Sequence, residues 1–278
     1  MIAMHKPPSL PGTRPEGTLD EREAAARVRD MFTRIAPRYD FLNHLLSFSL
    51  DHLWRRRTAK RFLPVLQRPD ARILDLCCGT GDLALALARA RARVLSQSAP
   101  VAAQESGASA PEISRAVLPI IGSDFVEPML VRGKEKARLS GRAVVFSAAD
   151  ALHLPFADAS FDLIATAFGF RNLANYQAGL REFARVLKRG GELGVLEFSE
   201  PCAGPMAPLF RFYFKNILPH IGGAISGSAD AYNYLPRSVS KFPSPPELAE
   251  LLRECGFREI RVAFWNFGSV ILHTAQRC

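Results

Sequence analysis

Ile73-Leu74-Asp75-Leu76-Cys77-Cys78-Gly79-Thr80-Gly81-Asp82 passes from an apolar strand, through a turn with two glycines in three residues, into a segment rich in Ala and Leu. Glycine lets the backbone approach a ligand closely and adopt conformations that other residues avoid. The first turn of the following helix carries N–H groups with no partner inside the helix, and these suit an anionic group. The pattern is not GxGxxG, and it lacks the GK[ST] of a phosphate loop. Taken alone, such a turn is weak evidence, since some turns of this kind are only tight turns.

Beyond this turn, short apolar runs alternate with helical segments. The expected strands are Arg72–Leu76, Val117–Gly122, Ala143–Ser147, Phe161–Thr166 and Glu192–Phe198. Between and after them the periodicity predicts helices over Asp82–Arg91, Pro128–Leu139 and Gln177–Leu187. Alternation of this kind predicts an α/β fold, a mostly parallel sheet covered by helices on both faces. Pro245–Cys255 reads as a further helix, with Pro in its first turn and Gly256 just past its end. Arg258–Phe264 and Ser269–Thr274 can close the sheet as an antiparallel pair.

Successive strand ends then supply polar residues. The second predicted strand is followed by Ser123-Asp124, and a carboxylate there can accept two hydrogen bonds from a ribose diol. The third leads to Asp150-Ala151, where a carboxylate can meet an adenine amino group. The fourth leads to Thr166-Ala167-Phe168-Gly169. In open α/β sheets the carboxyl ends of the strands form the ligand crevice, so these residues are expected around one site.

The flanks read differently. Residues 1–19 are rich in Pro, Gly and charge and read as a disordered tail. Helical patterning begins near Leu19, and residues 20–64 are expected to form a helical cap; the Asn43–Phe62 helix is expected to stop at Pro64. Residues 96–115 read as an inserted surface loop, and the chain from 20 to 278 as one domain. Residues 200–240 read as an insertion facing substrate and membrane. Within it, Pro208–Ile221 sets aromatic residues beside Arg211 and Lys215, as in an interfacial helix.

The chain has 278 residues, 48% of them hydrophobic, which suffices for one sizeable core. The net charge is +9, and residues 51–72 supply a large share of it through seven Lys/Arg against two Asp. A basic balance suits nucleic acid, an anionic membrane surface or an acidic ligand without choosing among them. The five cysteines, Cys77, Cys78, Cys202, Cys255 and Cys278, form no CxxC, so neither a disulfide framework nor a metal site is expected. No secretory signal and no membrane span is expected. The reading is a cytoplasmic protein whose membrane contact is peripheral.

Several blocks make the sequence familiar. Asp75-x-x-x-Gly79-x-Gly81, the acid Asp124 and Asp150-Ala151 resemble a class I S-adenosylmethionine-dependent methyltransferase, with Cys77 where many have Gly or Ala. More specific blocks are Met31–Asn43, Trp54-Arg55, Asp150–Phe156, Phe168-Gly169-Phe170-Arg171-Asn172, Leu196–Ser199 and Tyr232–Val239. Together they resemble the ubiquinone/menaquinone biosynthesis C-methyltransferases (UbiE/MenG type) over roughly residues 29–276. The resemblance implies a Rossmann-like, seven-stranded, mostly parallel sheet with an N-terminal helical cap. It also implies methylation of a ring carbon on a polyprenylated quinol, most directly demethylmenaquinol, with the benzoquinol of ubiquinone biosynthesis as a second acceptor.

Site residues follow from both readings. Asp75, Gly79, Thr80, Gly81, Asp124, Asp150, Ala151 and Tyr39 are expected at the cofactor, with Thr80, Asp124, Asp150 and Ala151 implied by the resemblance. A further family position, usually Ser, is Ala167 here and can give no side-chain hydrogen bond. Arg171 and Asn172 are expected to hold a quinol oxyanion, because arginine is too basic to take a proton; the alternative for Arg171 is a salt bridge that fixes its loop. Asp150 is a candidate proton acceptor through water. Tyr232, Tyr234 and Arg237 are expected to shape the quinol pocket. No nucleic acid is expected as partner, and a homodimer is left open. An RNA methyltransferase, suggested by the charge, and a non-catalytic scaffold of a quinone-making assembly are the alternatives.

Overall fold

The computed structural model describes residues 12, 13, 15, 17–97, 117–200, 208, 212 and 229–278. The predicted inserted loop, apart from Ser96 and Gln97, and the predicted interfacial helix, apart from Pro208 and Phe212, lie outside the described residues.

The described chain begins with α1 (Glu21–Ile35), α2 (Tyr39–Leu46), α3 (Leu50–Arg61) and the short α4 (Leu63–Leu66). Strand β1 (Ile73–Leu76) leads through the glycine turn into α5 (Asp82–Gln97). Then come β2 (Ile120–Asp124), α6 (Glu127–Ser140), β3 (Val144–Ala148), β4 (Phe161–Ala167), α7 (Tyr176–Val186) and β5 (Leu187–Phe198). The last part is α8 (Ala229–Lys241), α9 (Pro245–Glu254), β6 (Phe257–Trp265) and β7 (Val270–Arg277). The seven strands form one sheet in the order β3-β2-β1-β4-β5-β7-β6. All neighbours pair in parallel except β7, which runs antiparallel to β5 and β6.

Both faces of this sheet are covered, as the continuous apolar character of its central strands requires. Side chains alternate across a strand, and β1 shows the consequence. Leu74 and Leu76 pack with Phe170, Phe183 and Leu248, among residues of α7 and α9. Ile73, one residue out of phase, packs with Phe62, Leu66 and Leu87 from the helices on the other side. Asp75 shares the parity of Ile73 and so faces α5, at 1% exposure.

Three local differences from the sequence reading have physical causes. The single helix expected over Asn43–Phe62 is two helices, broken where Phe48 and Ser49 take left-handed φ of 53° and 57°. Pro64 does not end a helix but sits in the first turn of α4, where its missing N–H leaves no bond unmade. Helix α5 runs on to Gln97 because Arg91 and Val94 continue its buried face.

Part of the stretch read as a tail packs against the domain. The Thr13 N–H donates to Leu173 O at 3.0 Å, and the Thr13 hydroxyl meets the Tyr176 hydroxyl.

Candidate active site

The turn after β1 sits where the strand order reverses, between β2 and β4. Cys77 and Gly79 have φ of 52° and 53°. A Cβ on Gly169 would stand 2.4 Å from Cys77 Cβ. The loops leaving β1 and β4 therefore touch, and only glycine fits at 169. Above them opens a cavity lined by Tyr39, Gly79, Asp124, Asp150, Ala151 and Asn172 among others. A Cβ on Gly79 would lie 3.5 Å from the Tyr39 ring, an ordinary contact, so the turn and the cap face each other closely here.

Asp124 forms part of the wall of the cavity. Its carboxylate accepts the Gly79 N–H at 2.8 Å and the Val126 N–H at 2.9 Å. Burial pushes its pKa up, against the pull of those backbone donors. The acid after β2 thus fixes the glycine turn, and each oxygen keeps a further lone pair for a ligand. Asp150 accepts the Leu152 N–H at 2.9 Å, with His153 Nδ1 3.3 Å from its other oxygen. Val126, Met129, Ala151 and Leu152 complete an apolar slot suited to a flat ring. Tyr39 is half-buried against Phe32, edge to face at 6.0 Å, and its hydroxyl pKa is raised by desolvation, with Arg171 and Arg55 opposing.

Four expected cofactor and catalytic residues sit elsewhere than in the cavity lining. Asp75 lies behind the turn and accepts the Ala84 N–H at the start of α5, at 2.8 Å. Gly81 is needed for packing: its φ is 82°, and a Cβ there would come within 2.7 Å of the Phe146 ring. Thr80 is 2% exposed; its hydroxyl donates to Asp40 and accepts from Lys136 at 3.0 Å. Lys136 also binds Asp40 and Asp82, tying the cap to the turn.

Arg171 is the fourth. Its guanidinium donates to Glu197 at 2.7 Å and to the Phe168 carbonyl at 2.6 Å, and Glu197 also accepts the Arg171 N–H at 3.0 Å. Both side chains are nearly fully buried. Burial alone would lower the Arg171 pKa, but the Glu197 carboxylate outweighs it and the net shift is upward. The Arg171 charge, expected at a quinol oxyanion, is thus compensated inside the protein by Glu197. Its salt-bridge alternative matches the geometry. Asn172 does line the cavity. It accepts the Tyr234 hydroxyl at 3.2 Å, and its amide nitrogen has no protein partner among the described residues. Burial raises the Tyr234 pKa strongly, so that group stays a hydrogen-bond donor at neutral pH. Tyr232 lies on α8 with its side chain outside the description, and Arg237, on the same helix, is exposed.

Sequence reasoning missed Glu197 as a site residue, although it stands inside a recognised block. It also missed Lys136, for which no local signal exists. Among the described residues, His44, Asp51 and His52 bring one possible metal-ligand atom each within 4.8 Å. The Asp51 carboxylate is already engaged by Arg55, Ser47 and His44.

Asp75 gives a pH prediction. Burial raises its pKa well above the usual range, more than the Ala84 N–H lowers it. A carboxyl raised in the fold stabilises fully below its unfolded pKa of about 3.9. That contribution is lost as pH rises through the folded value. Asp75→Asn keeps an acceptor for Ala84 and loses the titration. The variant should melt higher than wild type at neutral pH and converge with it in acid, read by thermal melts across pH. Equal melting at neutral pH would contradict the assignment.

The family model described as the ubiE/COQ5 methyltransferase family matches residues 20–277. A demethylmenaquinone methyltransferase of Thermus thermophilus is 44% identical over 247 residues, covering 89% of this chain and 100% of that protein. The ubiquinone/menaquinone biosynthesis C-methyltransferase UbiE of Geobacter sulfurreducens is 39% identical over 257 residues, covering 92% and 90%. Among solved structures, a SAM-dependent methyltransferase from Aquifex aeolicus superposes with a TM-score of 0.55 at 16% identity, over 86% of this chain and 98% of that one. At that identity the likeness speaks for the fold alone.

Proposed function

We propose, because the chain belongs to the ubiE/COQ5 methyltransferase family, that it methylates a ring carbon of a polyprenylated quinol, with demethylmenaquinol as the first acceptor. The protein is an S-adenosylmethionine-dependent methyltransferase. The observation that carries the proposal is the cavity at the β1/β4 switch point, with Asp124 on one side and Asn172 on the other. A relative 44% identical over its whole length is a demethylmenaquinone methyltransferase. The benzoquinol acceptor stands as a second reading, because relatives at 39% identity are named for both quinones.

The residues fit the cofactor. Asp124 offers lone pairs to a ribose diol, Gly79 leaves room at the turn, and Ala151 and Met129 wall a slot for the adenine ring. Bound S-adenosylmethionine supplies an activated sulfonium methyl. The chain's own part is to orient the acceptor and exclude water. Asn172 directs its amide N–H groups at an acceptor oxygen, and Tyr234 holds that amide in place. Tyr39 and Phe32 cover the cavity from the cap, and the Tyr39 face suits a neighbouring cation. Asp150 serves the cofactor side and, through water, takes a proton from the quinol. Among the described residues no helix is long and apolar enough to cross a membrane. A prenylated acceptor therefore brings the protein to the bilayer surface.

The test is incubation of the protein with cofactor and each demethylated quinol in turn, with product read by mass spectrometry. Methylated naphthoquinol is expected. Methylated RNA with neither quinol modified would overturn the proposal.

A further inference from the structure

Away from the cavity, a groove opens between α3 and the β6–β7 hairpin. It is lined by Arg57, Lys60 and Arg61 from the helix and by Arg261, Trp265 and Thr274 from the strands. Positions 57, 60 and 61 follow the spacing of a single helix face. Arg261 and Thr274 are cross-strand partners, so a cation and a hydroxyl enter together from the far wall. The Arg57 guanidinium lies 6.0 Å from the centre of the Trp265 ring, which holds it in place.

Several of the protein's cations carry a carboxylate partner, whereas the four gathered in this groove have none among the described residues. Arg55, Arg68, Arg138, Arg171, Arg185 and Arg253 each have a carboxylate partner. Among the described residues, Arg57, Lys60, Arg61 and Arg261 form no ion pair and no side-chain hydrogen bond. One acid, Glu192, interacts electrostatically with Arg61 and Arg261, which leaves the groove an excess of three positive charges. Cations at a helix C-terminus are ordinary, and that accounts for Lys60 and Arg61 on α3. It does not account for Arg57 one turn earlier, or for Arg261 on another element. On the same hairpin, Phe264 and Phe267 are 60% and 76% exposed, and aromatic residues beside cations suit a bilayer interface.

We propose that this groove binds the phosphate of an anionic phospholipid headgroup and so seats the protein on a negatively charged bilayer. The ligand class is a phosphodiester presented at a surface; the bidentate fork of arginine and the Thr274 hydroxyl recognise its oxygens. The inference deepens the quinol reading by naming the surface that meets the membrane. It is read by binding alone, so it fails or stands separately from turnover.

The experiment is flotation of the full chain with phosphatidylcholine vesicles, with and without phosphatidylglycerol. Arg57→Gln/Arg261→Gln is compared with Arg138→Gln/Arg253→Gln, which removes the same charge from exposed sites elsewhere. Wild type should float only with the anionic vesicles. The groove variant should bind on the order of 30-fold more weakly, from two surface cations, and the control variant should bind like wild type. Equal weakening in both variants would reduce the groove to general charge and overturn the proposal. Inorganic phosphate held tightly in calorimetry without vesicle binding, or RNA bound through the groove in place of vesicles, would also overturn it.

Discussion

Asp124→Ala should bind S-adenosylmethionine about 100-fold more weakly than wild type, from the loss of two hydrogen bonds to a charged acceptor at about 1.5 kcal/mol or more each. The expectation combines a direct and an indirect effect. The ribose diol loses the carboxylate proposed to accept from it. The Gly79 and Val126 N–H groups, now held at 2.8 and 2.9 Å, lose their acceptor, and the turn that forms the cavity floor loosens. Asp124→Asn keeps one acceptor oxygen and should fall between the two. Isothermal titration calorimetry on protein shown to be folded by its melting curve reads the effect. Wild-type affinity in the alanine variant would remove Asp124 from the cofactor site.

Glu197→Ala should be the most destabilising of the substitutions considered. It leaves the Arg171 charge buried without its carboxylate, which costs about 3–5 kcal/mol, or a melting temperature on the order of 10 °C lower. Arg171→Met/Glu197→Leu removes both charges and should regain most of the stability, because apolar replacements of a buried pair are well tolerated. Its turnover should stay low while cofactor affinity holds. The pair clamps the Phe168 carbonyl and the Arg171 N–H, in the turn that presents Asn172. A double variant with wild-type turnover would show that this turn needs no such clamp. Loss of cofactor affinity with turnover per bound cofactor unchanged would assign the pair to the cofactor side instead.

Much of this arrangement is legible from local sequence. Strand parity and strand ends are local properties, so Asp124, Asp150 and Ala151 are found by counting along apolar runs. Gly79 and Gly81 look alike in sequence, yet one faces the cavity and the other the Phe146 ring, 65 residues further on in the chain. Thr80 reads as a ligand contact, and its hydroxyl is also bonded by Asp40 and Lys136 from 40 and 56 residues away. Arg171 reads as a free cation, and its partner Glu197 lies on β5, 26 residues later. What the sequence hides in each case is a partner brought near only by the closed sheet. The break at Phe48 and Ser49 is hidden for a different reason: neither residue type announces a left-handed backbone.

Carbon methylation of a quinol in the cavity between Asp124 and Asn172 underlies these expectations. It is tested most directly by one turnover with S-adenosylmethionine carrying a deuterated methyl, demethylmenaquinol as acceptor, and the position of the label read by mass spectrometry and NMR. The label is expected on the ring carbon, with transfer at limiting cofactor much reduced in Asp124→Ala. Label on a quinol oxygen, or an unlabelled quinol with cofactor demonstrably bound, would contradict it.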